Sequence, residues 1–192
     1  VRHGLALGSA QGLRYLHCDL PNPLIHRDIK PDNILVKEGV AKLADFGESR
    51  AFDSFRAKES ADEEGDDALT MTAVGTRLYC APEVQMMQRY NESADTFSFA
   101  LVLLCLAVGD INYVVKAGRR DPYCIRYCDD ERPPIPASLV ECCPTICDLI
   151  AEMWSTDFRA RPSFASIVPR LEACSFVDTD DGGLAHSPDE RD

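Results

Sequence analysis

The 192-residue sequence has few of the features that mark secreted, membrane-spanning or nucleic-acid-binding proteins. It contains no apolar secretory segment, and its main apolar run, residues 94–108, is shorter than a transmembrane helix. Lysine and arginine total 20 against 32 acidic residues, which gives a net charge of −12, and no basic stripe is present. We therefore expect a cytoplasmic or nuclear protein with no nucleic-acid partner and no membrane segment.

The nine cysteines are odd in number and scattered, which argues against a disulfide framework. Two groups are close in sequence: Cys124 with Cys128, and Cys142 with Cys143 and Cys147. Neither group has the paired CxxC spacing that is typical of structural zinc. Free thiols in a reducing compartment are the favoured interpretation, with a zinc site as the weaker alternative.

Most of the negative charge lies in two segments. Residues 59–67 hold six acids and no base, and residues 178–192 carry a net charge of −5. We expect the first segment to be a solvated insertion in a long loop, and residues 175–192 to be an acidic disordered tail. The remaining length fits one domain, and a hydrophobic content of 45% is sufficient for a packed core.

Hydrophobic periodicity predicts helices over residues 1–17, 94–108, 144–154 and 163–173. The second of these is apolar enough to be a buried central helix. The first carries a small-residue stripe, which favours close packing against another element. That stripe consists of Gly4, Gly8 and Gly12, and the apolar face beside it of Leu5, Leu13 and Leu16.

Two short β-prone runs, residues 34–36 and 41–44, flank Glu38-Gly39 and predict a hairpin. This hairpin would place Asn33 and Asp45 at neighbouring strand ends. Their side chains offer hard oxygen ligands, which suit Mg²⁺. The hairpin therefore predicts a shared metal site.

The most informative stretch is residues 25–35, IHRDIKPDNIL. Phosphoryl transfer requires a group that orients the attacking hydroxyl and positive charge that holds the phosphates. The carboxylate of Asp28 can accept a hydroxyl proton, and Lys30 suits a phosphate oxygen. Asp45-Phe46-Gly47 and then residues 75–83, GTRLYCAPE, follow in the order expected for such a site.

Together these motifs resemble the catalytic core of a eukaryotic protein kinase. Lys30, two residues after Asp28, and Thr76 in the GTRLYCAPE segment are similar to serine/threonine kinases. Residues 132–136, RPPIP, and residues 153–164, which begin MWSTD and end RPSF, resemble the tyrosine-kinase-like group of that class. The resemblance covers most of the chain but only the larger of the two kinase lobes.

The resemblance implies a mainly α fold, the kinase C-terminal lobe over residues 1–174, with a small β-hairpin at the catalytic loop and an activation loop at about residues 45–83. It implies ATP and Mg²⁺ as cofactors and a protein with a Ser or Thr hydroxyl as substrate. ATP contacts are expected from Lys30, Asn33, Asp45 and Leu35, and metal ligation from Asn33 and Asp45. The implied catalytic residues are Arg27, Asp28, Lys30, Asn33 and Thr76.

Other residues take supporting roles by the same resemblance. Asp95 would bond the catalytic-loop backbone, although a plain helix-start role is the alternative. Arg161 would pair with Glu83, although a surface arginine of little energetic value is the alternative. The remaining structural residues are His26, Phe46, which would pack near Asp45, and Gly47, which would allow a sharp turn.

Regulation by phosphorylation is implied by Arg27, because an arginine beside the catalytic Asp often meets an activation-loop phosphate in this family. Thr70 and Thr72 are the candidate phosphosites, with Ser54 and Ser60 as weaker ones. The partner implied is an upstream activating kinase.

The 192 residues do not contain the motifs of the smaller lobe: the Gly-rich loop, the strand Lys and the helix Glu. Val1 is not a Met, which fits a fragment of a longer product. We expect the isolated chain to be poorly active or inactive, since phosphoryl transfer depends on positioning between both lobes. The alternative is a non-catalytic kinase-like binding or scaffold module.

Overall fold

The computed structural model describes residues 1–51, 78–88, 90–117 and 127–174. The predicted activation-loop insertion, the acidic tail, Thr70, Thr72 and Thr76 lie outside these residues. The helices are α1 (Arg2–Arg14), α2 (Pro82–Gln85), α3 (Ser93–Val108), α4 (Tyr113–Ala117), α5 (Ala137–Cys142), α6 (Pro144–Met153) and α7 (Phe164–Glu172). The strands are β1 (Leu24–Ile25), β2 (Ile34–Lys37), β3 (Val40–Leu43) and β4 (Arg50–Ala51).

Helix α1 packs on β3, α3 and α7 through its small and apolar face. A Cβ atom on Gly8 would meet Ala41 at 3.5 Å, and one on Gly12 would meet Leu43 at 3.1 Å, so these two glycines allow the strand to approach closely. Within the described ranges nothing lies within 4 Å of that position at Gly4, so the prediction of a three-glycine packing stripe is wrong there.

The chain leaves α1 through a π-helical turn, Tyr15–Asp19, in place of the single helix predicted over residues 1–17. In this turn Leu16 and His17 are both buried. A widened turn of this kind shifts side-chain directions relative to a regular helix. Here it places His17 toward the core, where its ring meets Phe164 edge-on at a centroid distance of 5.3 Å.

The predicted hairpin is confirmed. Strands β2 and β3 are antiparallel, with Ile34 opposite Leu43. The two turn residues, Glu38 and Gly39, have φ values of 54° and 78°. Positive φ at both central residues is the condition for the two-residue turn whose twist matches a hairpin, and glycine meets it without strain.

A second two-stranded ladder pairs β1 with β4, with Ile25 opposite Arg50. This ladder was not predicted, because each strand has only two residues and the partners are far apart in sequence. It holds the chain on both sides of residues 26–47, since β1 precedes Arg27 and β4 follows Gly47.

Helix α3 lies at the centre of the core, as its apolar sequence predicts. Phe97, Phe99 and Leu101 are fully buried, and each such side chain contributes about 1.5–3 kcal/mol on leaving water. The helix ends at Gly109, whose φ of 81° lets its amide and that of Asp110 bond the Cys105 carbonyl.

Helices α6 and α7 form the remaining wall, close to the predicted ranges. Helix α6 packs on α3, and α7 packs on α1. The mainly helical fold with one hairpin is therefore confirmed over the described residues. No helix in those ranges is long and apolar enough to cross a bilayer.

Candidate active site

Residues 26–33, predicted to be the catalytic loop and given that name here, are fixed by Asp95 in the first turn of α3. Its two carboxylate oxygens accept the backbone N–H groups of His26 and Arg27, each at 2.8 Å. His17 Nε2 lies 2.8 Å from Oδ2, and both side chains are almost fully buried. Hydrogen bonds from buried donors to a carboxylate are among the stronger ones, so Asp95 ties the loop rigidly to the core.

His26 connects the catalytic loop to the strand that precedes Asp45. The imidazole is fully buried, and its Nε2 donates to the Ala44 carbonyl at 3.0 Å. Its Nδ1 then accepts the Asp28 N–H at 3.4 Å. Both ring nitrogens therefore have a hydrogen-bond partner in the core.

Asp28 lies at the centre of a polar cluster. Lys30 Nζ donates to Oδ2 at 2.7 Å. Asn33 Nδ2 donates to the same oxygen and to the Asp28 carbonyl, each at 2.8 Å. Among the described residues no hydrogen bond reaches Oδ1, which leaves that oxygen as an acceptor for an incoming hydroxyl.

Lys30 and Asn33 are brought to Asp28 by a tight turn of the chain. Pro31 begins a single 3₁₀ turn, Pro31–Asn33, at a position where its missing N–H costs no hydrogen bond. This turn directs Asn33 back to Asp28, while the backbone carbonyl of Asn33 accepts the Ala44 N–H at 2.9 Å.

Asn33 and Asp45 fit a divalent cation by their chemistry. The Asn33 amide nitrogen is used by Asp28, so its carbonyl oxygen remains available as a hard ligand. Asp45 is exposed, and within the part of the chain that the structure describes only its Oδ1 accepts a hydrogen bond, from the Gly47 N–H at 3.3 Å. The backbone hydrogen bond between Asn33 and Ala44 holds Asn33 and Asp45 at adjacent strand ends.

Asp45 and Arg27 adopt left-handed backbone conformations, with φ values of 60° and 74°. Such values are uncommon outside glycine and concentrate at functional sites. At Arg27 the bond to Asp95 holds the conformation, and at Asp45 the bond from Gly47 closes a local Asx turn. Neither could be read from the sequence.

Phe46 lies against His26 at a centroid distance of 4.9 Å, and 44% of the residue is exposed. Leu35, Val36 and Val40 on the hairpin are more exposed, at 55–57%. By the strand register Leu35 and Val40 lie on one side of the hairpin and Val36 on the other. Leu35 and Val40 are called here the hairpin face. Phe46 packs against His26 and keeps part of its surface exposed.

Glu83 at the start of α2 and Arg161 form a buried, two-bond ion pair. Arg161 donates to the two carboxylate oxygens of Glu83 at 2.6 and 2.9 Å, and their side chains are 4% or less exposed. Arg161 also donates to the carbonyls of Ser93 and Ser155. The guanidinium joins the start of α2 to α3 and to the segment before α7.

Two residues of the site were not predicted. His17 supports Asp95, and only the π-helical turn directs it there. Tyr127 donates its hydroxyl to the Leu78 carbonyl at 2.7 Å, and its burial raises its pKa, so the hydroxyl remains a donor. A tyrosine and a leucine 49 residues apart carry no local signal for this contact.

Arg27 extends away from the loop toward Tyr90, with its guanidinium 5.9 Å from the ring centroid. Burial raises the pKa of Tyr90, while Arg27 opposes that rise. Five residues predicted for the site therefore lie in this loop or at the adjacent strand end: Arg27, Asp28, Lys30, Asn33 and Asp45.

Comparison with known proteins shows similarity to protein kinases. The protein kinase domain pattern matches residues 4–170. "Probable serine/threonine-protein kinase drkC" of Dictyostelium discoideum is 38% identical over 178 residues, which cover 88% of this chain and 21% of that protein. Serine/threonine-protein kinase VIK of Arabidopsis thaliana is 35% identical over 173 residues, 87% of this chain and 36% of that protein.

A third relative has a different name. Seven transmembrane domain-containing tyrosine-protein kinase 1 of Dictyostelium discoideum is 34% identical over 171 residues, 88% of this chain and 23% of that protein. The chain thus spans between 21% and 36% of the lengths of these relatives. All three relatives are named protein kinases. Two are named for serine and threonine, and the third is named for tyrosine.

Proposed function

Since this chain belongs to the protein kinase family, we propose that it is the C-terminal lobe of a serine/threonine kinase domain. Within a complete domain it transfers the γ-phosphoryl group of ATP to Ser or Thr hydroxyls of protein substrates. The observation that carries this proposal is the Asp28 carboxylate, held by Lys30 and Asn33 with one oxygen left to accept a hydroxyl.

In the proposed mechanism, Asp28 Oδ1 accepts the hydrogen bond of the substrate hydroxyl and aligns it for attack. Lys30, 2.7 Å from the other carboxylate oxygen, is close enough to bring its charge to the transferred phosphoryl group. Catalysis in this reaction comes mainly from positioning and charge stabilisation. The rigid support from Asp95 serves that purpose, because it fixes the loop before the substrate arrives.

Asn33 and Asp45 are the residues proposed to hold Mg²⁺. When bound, the ion offsets the negative charge of the phosphates. The residues themselves supply hard oxygen ligands from two neighbouring strand ends. Leu35, exposed on the hairpin face, is proposed to contact the nucleotide.

The hairpin face supports a two-lobed arrangement. Its two apolar side chains are exposed, and Leu35 follows Asn33 by two residues, where the nucleotide and a smaller lobe would cover it. A Gly-rich phosphate loop is not among the 192 residues. We therefore propose that the 192 residues alone transfer phosphate slowly or not at all.

The preference for Ser or Thr rests on Lys30 and Thr76, which resemble the serine/threonine class. To test it, the complete protein is incubated with Mg·ATP labelled at the γ-phosphate and with casein as acceptor. We expect labelled phosphoserine or phosphothreonine, lost in Asp28→Asn and retained in Asp148→Asn, an exposed acid on α6. Phosphotyrosine alone would overturn the preference.

The alternative function is a kinase-like binding module without catalysis, and the exposed hairpin face is the observation that favours it. Nucleotide affinity separates the two. Binding of Mg·ATP by the complete protein, weakened by Asn33→Ala, supports the kinase. Absence of nucleotide binding together with stable folding supports the binding module.

We further propose that Arg27 receives a phosphate on Thr70 or Thr72, added by an upstream kinase. The support is the position of its guanidinium, which extends toward Tyr90 beyond the catalytic loop, and its pairing strength with phosphate oxygens. Replacing both threonines by alanine should lower the activity of the complete protein after treatment with the activating kinase. Unchanged activity would refute this regulation.

A further inference from the structure

Two cysteines are in contact at the junction of α5 and α6, and a third follows on α6. Cys142 ends α5, Cys143 lies between the helices, and Cys147 follows in the first turns of α6. The Sγ atoms of Cys142 and Cys143 are 3.6 Å apart, and neither residue is in a disulfide. Two sulfur atoms this close can bind one ligand atom together, which a single thiol cannot do.

The break between the helices brings these sulfurs together. Successive side chains point to opposite faces of a strand, and about 100° apart around a helix. Cys143 is in neither conformation, with φ of −139° and ψ of 57°, and Pro144 begins α6 immediately after it. The junction therefore turns both thiols to the same side.

The two thiols differ in access. Cys142 is exposed, while Cys143 is 6% exposed beneath it. Desolvation and the Cys143 thiol raise the pKa of Cys142, so the thiol form predominates at neutral pH. A predominant thiol form disfavours reactions that need a thiolate. It suits reactions in which an oxygen of the reagent carries the thiol proton away.

We propose that Cys142 and Cys143 form a dithiol site that binds a trivalent arsenical through both sulfurs. With an arylarsine oxide, two As–S bonds form while two S–H bonds and the As–O bonding are broken. Both protons leave on that oxygen as one water molecule. Arsenic stays trivalent, so no oxidant or reductant takes part.

Other products fit this pair less well. A disulfide favours Cα atoms about 4.4–6.8 Å apart, whereas neighbours on a trans peptide are about 3.8 Å apart. No group of three or more His, Cys, Asp or Glu among the described residues is placed to hold a metal ion. Trivalent arsenic needs only two thiols, and sulfur is the soft ligand that suits it.

The test is titration of the complete, reduced protein with phenylarsine oxide, followed by intact mass under native conditions and peptide mapping. We expect a tight adduct that bridges Cys142 and Cys143. Because two linked contacts exceed one by about 10²–10⁴-fold, Cys142→Ala should weaken the adduct by about a hundredfold or more. Cys143→Ala should do the same.

Two control variants locate the site. Cys18→Ala removes an exposed thiol in the π-helical turn, and Cys147→Ala removes a buried thiol in the next turn of α6; neither should change the affinity. Cys142 is exposed, so its variant is informative even if Cys143→Ala unfolds. An unchanged adduct in Cys142→Ala, or an adduct lost in Cys147→Ala but not in Cys142→Ala, would overturn the proposal.

Discussion

Removing the carboxylate of Glu83 should unfold the protein far more readily than removing a surface carboxylate with the same geometry. In the native structure Arg161 makes two bonds to Glu83, and its side chain is fully buried. Glu83→Ala would leave that guanidinium with the carbonyls of Ser93 and Ser155 but with no opposite charge.

The expected loss is about 3–5 kcal/mol, the cost of leaving one charge of a buried pair uncompensated. The guanidinium lies 5.0 Å from the Phe97 ring centroid, which offsets a small part of this cost. Against a typical stability of about 5–15 kcal/mol, this loss would shift the unfolding midpoint by a large fraction of its value.

Glu152 and Arg170 provide the matched control. They also form two bonds, at 2.5 and 2.9 Å, but their side chains are 48% and 32% exposed. The bond from Arg170 lowers the pKa of Glu152, although water screens the pair. Glu152→Ala should therefore cost less than about 1 kcal/mol.

The assay is urea unfolding of the complete protein and both variants, followed by circular dichroism, with midpoints compared only where the slopes agree. A drop several times larger for Glu83→Ala supports the assignment of the buried pair. Equal drops would refute the reasoning from burial, since hydrogen-bond geometry is the same in both pairs.

Three further predictions concern the loop, the first helix and Tyr127, each measured by the same unfolding assay. Asp95→Ala leaves two loop amides without acceptors and should cost about 1–3 kcal/mol for each; a loss below 1 kcal/mol would contradict this role. Gly12→Ala should destabilise the protein by about 1 kcal/mol, because the added methyl group crowds Leu43 on β3. Gly4→Ala should instead stabilise it by about 0.4–1 kcal/mol. The same sign for both variants would show that contact with β3 does not restrict the size of the residue at Gly12. Tyr127→Phe should cost about 1–3 kcal/mol by leaving the Leu78 carbonyl unpaired, and a neutral result would mean that water replaces the hydroxyl.

The hairpin shows what local sequence can predict. Glu38-Gly39 between two β-prone runs is enough to place the turn, because the turn conformation depends on those two residues. The four long helices follow equally from apolar periodicity, and their observed bounds differ by a few residues at most. The same hairpin also predicted that Asn33 and Asp45 lie at adjacent strand ends, where the structure has them.

The rest depends on contacts between distant residues. The widened turn at His17 is selected by the buried Asp95, 78 residues away, so continuous helical periodicity gave no sign of it. The left-handed conformation of Arg27 is likewise held by the Asp95 carboxylate. Gly4 shares the spacing of Gly8 and Gly12, yet none of the described elements reaches it, because the hairpin contacts α1 at Gly8 and Gly12.

The central claim is that Asp28 orients the substrate hydroxyl for phosphoryl transfer. The most direct measurement compares kcat and the Kd of Mg·ATP for the complete protein and for Asp28→Asn, with casein as acceptor. Removing a general base typically costs about 10²–10⁴-fold in rate, so we predict a fall in kcat of that size with little change in Kd. An unchanged kcat, or an equal loss in Asp148→Asn, would contradict the claim.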